Sequence, residues 1–370
     1  MKTIGILTSS RADYGIYLPL LKTLKEDPDF NLKLIVFGTH LSPFHGYTIN
    51  QILEDGFKVD YKIESMLIGD SPNAISTAMA LTSLKFADFW RDNNQEFDLV
   101  FCLGDRYEMF AAVIAGIPFN IFFAHLHGGE RTLGVIDNTF RHAITLAAKY
   151  HFVSCKDHQD RVAELIESSD NIFNVGALSL DNLNNITFLT IDEIKSKFRI
   201  DLELPTILVT LHPETVDPEM NKLHVEELAN SLLKLTNYQV LITLPNADQD
   251  SYIIREKLLQ LTVLSNNKIF CFENLGTQGY FSIMKYCSFL LGNTSSGIIE
   301  AASFGKWVIN LGNRQRGRKQ SNNIYNVPFD RNNILQTISI IENETSYSGG
   351  NIYFKGNAAE NICSILRNLK

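Results

Sequence analysis

The sequence predicts an α/β protein built from two Rossmann-like, doubly wound domains that face a cleft. Three observations support this prediction. The chain has 370 residues, more than one hydrophobic core usually holds, so two domains of roughly 180 residues each are expected. Short β-branched and aromatic runs alternate with longer helical patterns, as in parallel sheets covered by helices. The second half of the chain repeats this alternation.

Strands are predicted where a short apolar run stands between helical patterns. In the first half these runs are residues 2–7, 32–37, 98–103, 120–124 and 151–154, with helices at 14–26, 74–90 and 108–115. In the second half the runs are residues 206–211, 239–243, 268–272, 289–291 and 308–310, with helices at 219–235 and 252–264.

The domain junction is predicted within residues 176–190, because this stretch is rich in asparagine and has the weakest patterning of the chain. The first domain then covers residues 1–180 and the second covers residues 181–352. The remaining segment, 353–370, contains a helical pattern at 357–369, which we expect to pack back onto the first domain.

The composition excludes several classes of partner. The chain is 45% hydrophobic and 20% charged, and its net charge of −8 provides no basic field for nucleic acid. No apolar run reaches the ~18 residues of a membrane span, and the N-terminus lacks the apolar run of a signal peptide. We therefore expect a cytoplasmic protein. The five cysteines include no C-x-x-C pair, so we expect buried thiols rather than a zinc site.

Charged residues follow the predicted strands of the first domain. In an open parallel sheet, ligands bind outside the carboxyl ends of the strands, so these loops are candidate sites. Four carboxylates occur there: Asp105, Glu108, Glu130 and Asp137. Carboxylates gathered in a closed cleft acquire separate pKa values, so one donates a proton while another accepts. This arrangement suits proton abstraction next to an activated carbon, although Glu108 also fits a helix-start residue and Asp105 fits a simple salt bridge with Arg106.

The second domain has residue types that suit an anion. Residues 292–297 are small and place Ser295 and Ser296 at a helix start, where backbone N–H groups hold phosphates. An ordinary helix N-cap is an equal alternative. The segment is not a P-loop, because Ile298 stands where the lysine would be, and no G-x-G-x-x-G follows the first strand. Residues 313–319 contain four cations. An arginine there would complete a diphosphate site, with a solvated basic surface as the alternative; Glu300 could accept hydrogen bonds from a ribose.

Histidines complete the set of candidates. His125 and His127 lie two residues apart, so on one strand their rings would share a face. No third ligand stands at a suitable spacing, and we expect no bound metal. His40 follows the second predicted strand, and His212 precedes a proline. Both are candidate polar contacts in the cleft.

Taken in order, these segments resemble the hydrolysing branch of the UDP-N-acetylglucosamine 2-epimerase family, which supplies sialic acid and nonulosonate synthesis. The motifs that carry the resemblance are Ser10-Arg11-Ala12-Asp13-Tyr14, Gly104-Asp105-Arg106, His127-Gly128-Gly129-Glu130, Asp137-Asn138-Thr139-Phe140-Arg141-His142, His212-Pro213-Glu214, residues 292–297 and Arg314-Gln315-Arg316-Gly317-Arg318. The resemblance implies a GT-B-like fold, a UDP-sugar substrate, a homodimer and no metal or nicotinamide cofactor.

The resemblance also implies roles for individual residues. Those that would hold UDP are Arg11, Arg106, Ser295, Ser296, Glu300 and Arg314, with His212 and Asn246 near the diphosphate or the sugar. Asp105 and Asp137 resemble the acid/base carboxylates. Several relatives have a glutamate where this chain has His127, so either His127 or Glu130 would complete the proton transfer.

The implied activity converts UDP-N-acetylglucosamine and water to UDP and N-acetylmannosamine. UDP is eliminated to leave a 2-acetamidoglucal, to which water then adds. Four alternatives share parts of this site. The same chemistry could act on UDP-2,4-diacetamido-2,4,6-trideoxyglucose, and a non-hydrolysing epimerase would release UDP-N-acetylmannosamine. A GT-B glycosyltransferase would transfer the sugar to an acceptor, and a UDP-sugar sensor would have no use for several carboxylates.

Overall fold

The structure is a computed structural model that describes residues 1–69, 71–245, 251–265 and 268–369. The chain divides into two compact units. Unit 1 comprises Met1–Glu130, Asp137–Asn185 and Tyr353–Lys370, and unit 2 comprises Arg131–Ile136 and Ile186–Ile352. Each unit is built on one parallel sheet with helical connections, which confirms the predicted fold class.

Unit 1 contains the larger sheet. Its strands are β1 Lys2–Thr8, β2 Phe30–Phe37, β3 Tyr61–Ile63, β4 Leu99–Leu103, β5 Phe123–Leu126, β6 Tyr150–Val153 and β7 Ile172–Asn174. The helices between and after them are α1 Arg11–Glu26, α2 Ile49–Glu54, α3 Pro72–Asn93, α4 Tyr107–Gly116, α5 Asp137–Ala147, α6 Lys156–Ile166 and α7 Asn182–Asn185. Within the described residues the spatial order is β3-β2-β1-β4-β5-β6-β7, and all pairs are parallel. The order reverses between β1 and β4, which creates a switch point.

Successive residues of these strands enter different hydrophobic cores, one on each face of the sheet. In β4, Val100 and Cys102 pack in the core that contains residues of α3 and α4, whereas Phe101 and Leu103 pack in the core that contains residues of α1. Strands that are buried on both faces have nearly continuous apolar sequences. This is the physical reason why the central strands can be recognised in the sequence.

Unit 2 repeats the architecture with a smaller sheet. Its strands are β8 Thr206–Thr210, β9 Gln239–Thr243, β10 Ile269–Phe272, β11 Phe289–Gly292, β12 Val308–Leu311 and β13 Ile324–Val327. Its helices are α8 Ile191–Phe198, α9 Asn221–Leu232, α10 Ser251–Leu264, α11 Gly276–Tyr286, α12 Ser295–Ile299 and α13 Arg331–Ile341. The described strands follow the order β10-β9-β8-β11-β12-β13, so the switch point lies between β8 and β11.

The C-terminal helix, α14 Ala358–Asn368, belongs to unit 1. Its apolar face, including Ile362 and Leu366, joins the core that contains residues of α1. Asp181 accepts a hydrogen bond from the backbone N–H of Ala359 at 2.7 Å. Arg367, in the last turn of α14, forms an ion pair with Asp27 at the end of α1.

The division of the chain differs from the sequence-based boundaries in two places. The units change between Asn185 and Ile186, which lies within the predicted junction of residues 176–190 but after the boundary at residue 180. In addition, Arg131–Ile136 lies in unit 2, although the predicted first domain of residues 1–180 includes it. Its backbone bonds to unit 2 loops: Leu133 N donates to Arg316 O at 3.0 Å, and Ile136 N donates to Thr215 Oγ1 at 3.0 Å. These partners are far away in sequence, so local patterning does not reveal them.

Three strands, β3, β7 and β13, are absent from the sequence prediction. All are three or four residues long and lie at sheet edges, where burial is incomplete and the apolar pattern is weaker. The strand predicted at 120–124 instead begins at Phe123, because Asn120 adopts a left-handed conformation with φ 54° after a 3-10 turn.

The described helices include none that is both long and apolar enough to cross a membrane. The cysteines are free thiols, and all except the half-buried Cys271 are buried.

Candidate active site

The loop after β1 is organised by a buried carboxylate. Asp13 accepts hydrogen bonds from the backbone N–H of Ser9 at 2.9 Å and from the hydroxyls of Ser9 at 2.6 Å and Ser10 at 2.9 Å. Ser10 in turn accepts from the backbone N–H of Asp13 and caps α1. This closed network makes Arg11 the first residue of α1, at the carboxyl edge of the sheet.

Arg11 and Arg106 belong to neighbouring loops at the switch point of unit 1. Burial, followed by the charges of Arg106 and Arg11, lowers the pKa of His45, so both guanidinium groups act on one imidazole. Arg106 also binds Glu108 through two contacts, Nη2–Oε1 at 3.0 Å and Nε–Oε2 at 3.3 Å. Glu108 is 1% exposed, which makes it the buried counter-charge of Arg106. The loops therefore bring together two cations that could contact an anion.

His40 is buried and lies between two threonine hydroxyls. Its Nε2 lies 2.9 Å from Thr8 Oγ1, and its Nδ1 lies 2.8 Å from Thr48 Oγ1. Burial lowers the pKa of His40 to about 4, against the opposing effect of the Asp13 charge. Both ring nitrogens therefore have protein partners, and the ring is neutral. The predicted contact of His40 with the substrate stays a prediction.

Asp105 pairs with Arg141 and not with its sequence neighbour Arg106. Arg141 lies on α5, its side chain is 2% exposed, and its Nη1 donates to Glu130 O at 3.1 Å. The side chain of Asp105 is 26% exposed. A buried guanidinium group is therefore paired with an accessible carboxylate. Arg141 is a functional candidate that our sequence analysis did not single out, although it lies within the motif that begins at Asp137.

Asp137 is the first residue of α5, one helical turn before Arg141. Its side chain is half-buried. A carboxylate is favoured at this position by the positive end of the helix dipole. Helix α5 therefore carries both an acid/base candidate and the arginine that pairs with Asp105.

His127 and Glu130 form a hydrogen-bonded pair after β5. His127 Nδ1 lies 2.8 Å from Glu130 Oε1, and the two side chains are 8% and 2% exposed. His127 has φ 63°, in the left-handed region, so it does not continue the strand. His125 and His127 therefore do not share a strand face.

His125 is occupied within the unit 1 core. Its Nε2 lies 2.9 Å from Gly104 O and its Nδ1 lies 3.0 Å from Thr145 Oγ1. Burial lowers the pKa of His125 to about 3, so the ring is neutral. Among the described residues, no group of three or more His, Cys, Asp or Glu side chains is arranged to hold a metal ion.

The switch point of unit 2 is organised by Asn293, which is fully buried. Its side chain bonds both backbone groups of His212: Oδ1 accepts from His212 N at 2.8 Å, and Nδ2 donates to His212 O at 2.9 Å. Its carbonyl oxygen accepts from Arg314 Nη1 at 3.2 Å and from Gln315 Nε2 at 2.8 Å. Asn293 thus brings the loops after β8, β11 and β12 together.

The helix after β11 begins as the sequence predicts. Thr294 is the N-cap residue of α12, and Ser295 and Ser296 occupy its first turn. Glu300 follows the helix and is 6% exposed. Because α12 has only five residues, it offers an anion the N–H groups of its first turn rather than a long dipole. Asn246, the other predicted substrate contact in unit 2, lies outside the described residues.

Tyr280 adds a side chain to this region that the sequence analysis did not select. Burial raises the pKa of Tyr280 to about 12, and the charge of Glu300 acts in the same direction. The nearby side chains of Ser296 and Thr210 oppose this rise of the pKa. Tyr280 is therefore a buried neighbour of Ser296, in the first turn of α12, and of Glu300, which follows that helix.

Glu214 is a third residue whose role the sequence did not reveal, after Arg141 and Tyr280. It is 4% exposed. Its Oε1 accepts hydrogen bonds from the backbone N–H groups of Asn313 at 2.6 Å and Arg314 at 3.0 Å. One carboxylate oxygen thus holds the turn from which Arg314 projects.

The segment Arg131–Ile136 packs on this same turn of unit 2. An added Cβ at Gly134 would lie 2.5 Å from Asn313 O and 2.7 Å from Arg314 Cα, so only glycine fits. Val216 N also donates to Gly134 O. The segment directly follows Glu130 and directly precedes Asp137 in the chain.

Two doubly wound parallel units with charged loops at their switch points define a protein of the GT-B-like fold class. A family model described as UDP-N-acetylglucosamine 2-epimerase matches residues 22–367. The chain therefore belongs to the UDP-N-acetylglucosamine 2-epimerase family, as its motifs predict.

Similar proteins include the polysialic acid biosynthesis protein P7 of Escherichia coli, which is 34% identical over 379 aligned positions, covering 99% of this chain and 94% of that protein. The hydrolysing GDP/UDP-N,N'-diacetylbacillosamine 2-epimerase of Campylobacter jejuni is 33% identical, with 93% and 88% covered. The solved UDP-GlcNAc 2-epimerase of Neisseria meningitidis, bound to UDP-GlcNAc, has a TM-score of 0.83 at 19% identity, with 100% of both chains covered. This last likeness is one of fold.

Proposed function

We propose that this protein cleaves a UDP-linked 2-acetamido sugar with water, releasing UDP and the free sugar with inverted configuration at C2. The observation that carries the proposal is the set of proton-transfer groups in unit 1. There, an accessible carboxylate is paired with a buried arginine, and an imidazole is paired with a buried glutamate. A sensor or a simple UDP-sugar binder has no need for such groups.

The chemistry requires a base at C2 and a stabilised leaving group at C1. Removal of the C2 proton sends the C–H electron pair into a C1=C2 double bond, and UDP departs with the C1–O pair. Water then adds its oxygen to C1, and a proton enters C2 from the opposite face. Asp105, Asp137 and the pair of His127 with Glu130 are our candidates for these proton transfers.

The leaving diphosphate needs cationic partners and N–H donors. In unit 2 we assign this role to Arg314 and to the turn at Ser295 and Ser296, with Glu300 accepting from the ribose hydroxyls. The backbone N–H of His212 donates to the side chain of Asn293, and the carbonyl oxygen of Asn293 accepts from Arg314. We therefore assign His212 a contact with the diphosphate or the sugar. Arg11 and Arg106 are the corresponding cations of unit 1.

UDP-N-acetylglucosamine is the proposed substrate and N-acetylmannosamine the proposed product. A second candidate, UDP-2,4-diacetamido-2,4,6-trideoxyglucose, is favoured by the names of two relatives. The proteins of C. jejuni and Legionella pneumophila, 33% and 31% identical to this chain, are described as hydrolysing diacetylbacillosamine 2-epimerases. The two sugars differ at C4 and C6, so both need to be tested. The homodimer and the cytoplasmic location stay predictions.

The test is incubation with each UDP-sugar in D2O, followed by NMR of the products. We expect one UDP per turnover and a free manno-configured 2-acetamido sugar that carries deuterium at C2. UDP-N-acetylmannosamine as the sole product would move the protein to a non-hydrolysing reaction, and turnover that requires an acceptor would indicate a glycosyltransferase. A variant Asp105→Asn, which removes one of the proposed acid/base carboxylates, should lose this turnover. Asp88→Asn is its matched control, because Asp88 forms an exposed surface ion pair with Arg91 that contributes little.

A further inference from the structure

Four buried polar side chains form a continuous chain behind the ends of β5 and β6. His127 Nδ1 lies 2.8 Å from Glu130 Oε1, Ser154 Oγ donates to the same oxygen at 3.3 Å, and Ser154 Oγ lies 2.9 Å from His158 Nδ1. His127 is 7% exposed, Glu130 and Ser154 are 1% exposed, and His158 is 4% exposed. Ser154 and His158, which extend this hydrogen-bonded series beyond Glu130, are not part of the family motifs quoted above.

The loop that carries Glu130 can approach α6 only because residue 129 is glycine. Gly129 has φ 79°, and an added Cβ would lie 2.4 Å from His158 O and 2.9 Å from Val162 Cγ2. This close contact sets the carboxylate against the first turn of α6. The backbone N–H of His127 is held by Phe152 O at 3.1 Å, which maintains the left-handed conformation of the histidine.

The hydrogen bonds have a direction. A serine hydroxyl carries one proton, and Ser154 donates it to the carboxylate of Glu130. Ser154 must therefore accept from His158, whose Nδ1 carries a proton. An ionised carboxylate oxygen only accepts hydrogen bonds. With Glu130 ionised, the proton in the 2.8 Å contact between His127 Nδ1 and Glu130 Oε1 therefore resides on His127 Nδ1. In the neutral ring, Nε2 then holds the lone pair.

The Nε2 atom of His127 is buried and has no hydrogen-bond partner among the residues that the structure describes. Leaving a buried ring nitrogen unsatisfied costs free energy, so this atom is a candidate to meet a ligand. Glu130 Oε1, by contrast, already accepts two hydrogen bonds. The arrangement matches an imidazole base that is oriented by a carboxylate.

We propose that His127 Nε2 is the base that takes the C2 proton, and that Glu130, Ser154 and His158 are positioning residues that hold the ring in its Nδ1–H form. This inference rests on the proposed function. In the step, the C2 proton moves to Nε2, the C–H electrons form the C1=C2 bond, and UDP leaves with the C1–O electrons. The resulting imidazolium is stabilised by the carboxylate of Glu130.

Glu130 is the carboxylate that is hydrogen-bonded to His127. Four other titratable groups lie around these hydrogen-bonded side chains. His125, on β5, is neutral because burial lowers its pKa to about 3. Cys155, before α6, is also neutral, because burial raises its pKa to about 11. Arg141, on α5, contacts the backbone oxygen of Glu130, and Asp157, on α6, lies near Cys155.

The first test reads the tautomer without turnover. Long-range ¹H–¹⁵N NMR of the full-length protein resolves the ring nitrogens of its nine histidines, and a His127→Gln variant assigns the signals of interest. We expect the Nδ1–H form for His127 in the wild type. In Glu130→Gln we expect the Nε2–H form, because the amide donates to Nδ1. A wild-type His127 in the Nε2–H form would overturn the proposal.

The second test is kinetic. We expect Glu130→Gln to lower kcat for UDP release by about 10³-fold or more, as a wrong tautomer does. Ser154→Ala should lower kcat about tenfold with little change of KM and should shift the acid limb of the pH–rate profile. Ser154→Ala should also add no further loss to Glu130→Gln, because both act through one imidazole. Ser83→Ala is the matched control, because it also removes one serine hydrogen bond, from Ser83 on α3 to Ala111 O on α4. This control should retain wild-type kcat.

The remaining outcomes separate the two proposals. A loss in Ser154→Ala that is equal at all pH values and additive with Glu130→Gln would overturn the positioning role. Absence of UDP release by the wild type from both sugar nucleotides would overturn the proposed function and the base assignment together. UDP release by the wild type, with activity of Glu130→Gln within threefold of it, would overturn the base assignment alone.

Discussion

Glu214→Gln tests how UDP binding depends on the turn that carries Arg314. The carboxylate is 4% exposed and accepts backbone N–H groups at 2.6 and 3.0 Å. A hydrogen bond to a charged group contributes about 1.5–3 kcal/mol, and a neutral bond about 0.5–1.5 kcal/mol. An amide oxygen can keep both bonds but loses the charge, so the turn loses about 2–3 kcal/mol. If between half and all of this free energy is lost from binding, the Kd for UDP rises about 5- to 150-fold.

The assay is titration calorimetry of the full-length protein with UDP alone, because it does not depend on turnover. Thermal unfolding of the same samples shows that the variant is folded. Glu203→Gln removes one exposed carboxylate of unit 2 and controls for the change of net charge. A folded Glu214→Gln protein whose Kd lies within twofold of the wild-type value would refute the reasoning, as would an equal effect of Glu203→Gln.

Three further predictions follow from the described contacts. Asp105→Asn should lower the rate of UDP release at least 100-fold, while UDP binding measured by calorimetry is retained. It should also lower the Tm, because the buried Arg141 charge loses its partner. Unchanged turnover would contradict the role of Asp105 in proton transfer. Gly134→Ala should weaken UDP binding by calorimetry, because the new Cβ displaces the turn at Arg314; an unchanged Kd would show that the turn tolerates the shift. The Tm should fall between pH 6.5 and 4, because buried histidines stay neutral while unfolded histidines bind protons, at a cost of about 1–2 kcal/mol each at pH 5. These histidines, with pKa values lowered to about 4, 3 and 4, are His40, His125 and His151. His151→Asn should reduce the fall; a Tm that is flat over this range would count against the neutral assignment.

Most of the fold could be predicted because its signals are local. Central strands such as β4 are buried on both faces and therefore appear as uninterrupted apolar runs. The start of α12 is visible because capping depends on residues next to each other in sequence. The edge strands β3, β7 and β13 lack this signal, because an edge position does not require a continuous apolar sequence. The edge strand β10 could be predicted because all four of its residues, Ile269–Phe272, are nevertheless apolar.

The candidate site was only partly predictable. Loop position alone selected Asp105, His127, Glu130 and Arg314, since the carboxyl ends of parallel strands meet at one edge of a sheet. It also selected His40, whose ring the structure buries between two threonine hydroxyls. Loop position did not select Glu214, because a glutamate that binds backbone N–H groups has no sequence signature.

By itself, the sequence determined the two-sheet architecture, the loops that carry charge and the family to which the chain belongs. The tertiary structure decided which charges meet. Asp105 pairs with Arg141, 36 residues away, rather than with adjacent Arg106, and Glu214 binds a turn 99 residues later. Hydrophobic periodicity and capping act over one or two turns of chain, whereas these pairings depend on which strands are neighbours in a sheet. For the same reason, the partners of His127 emerge only when β5 and β6 lie side by side.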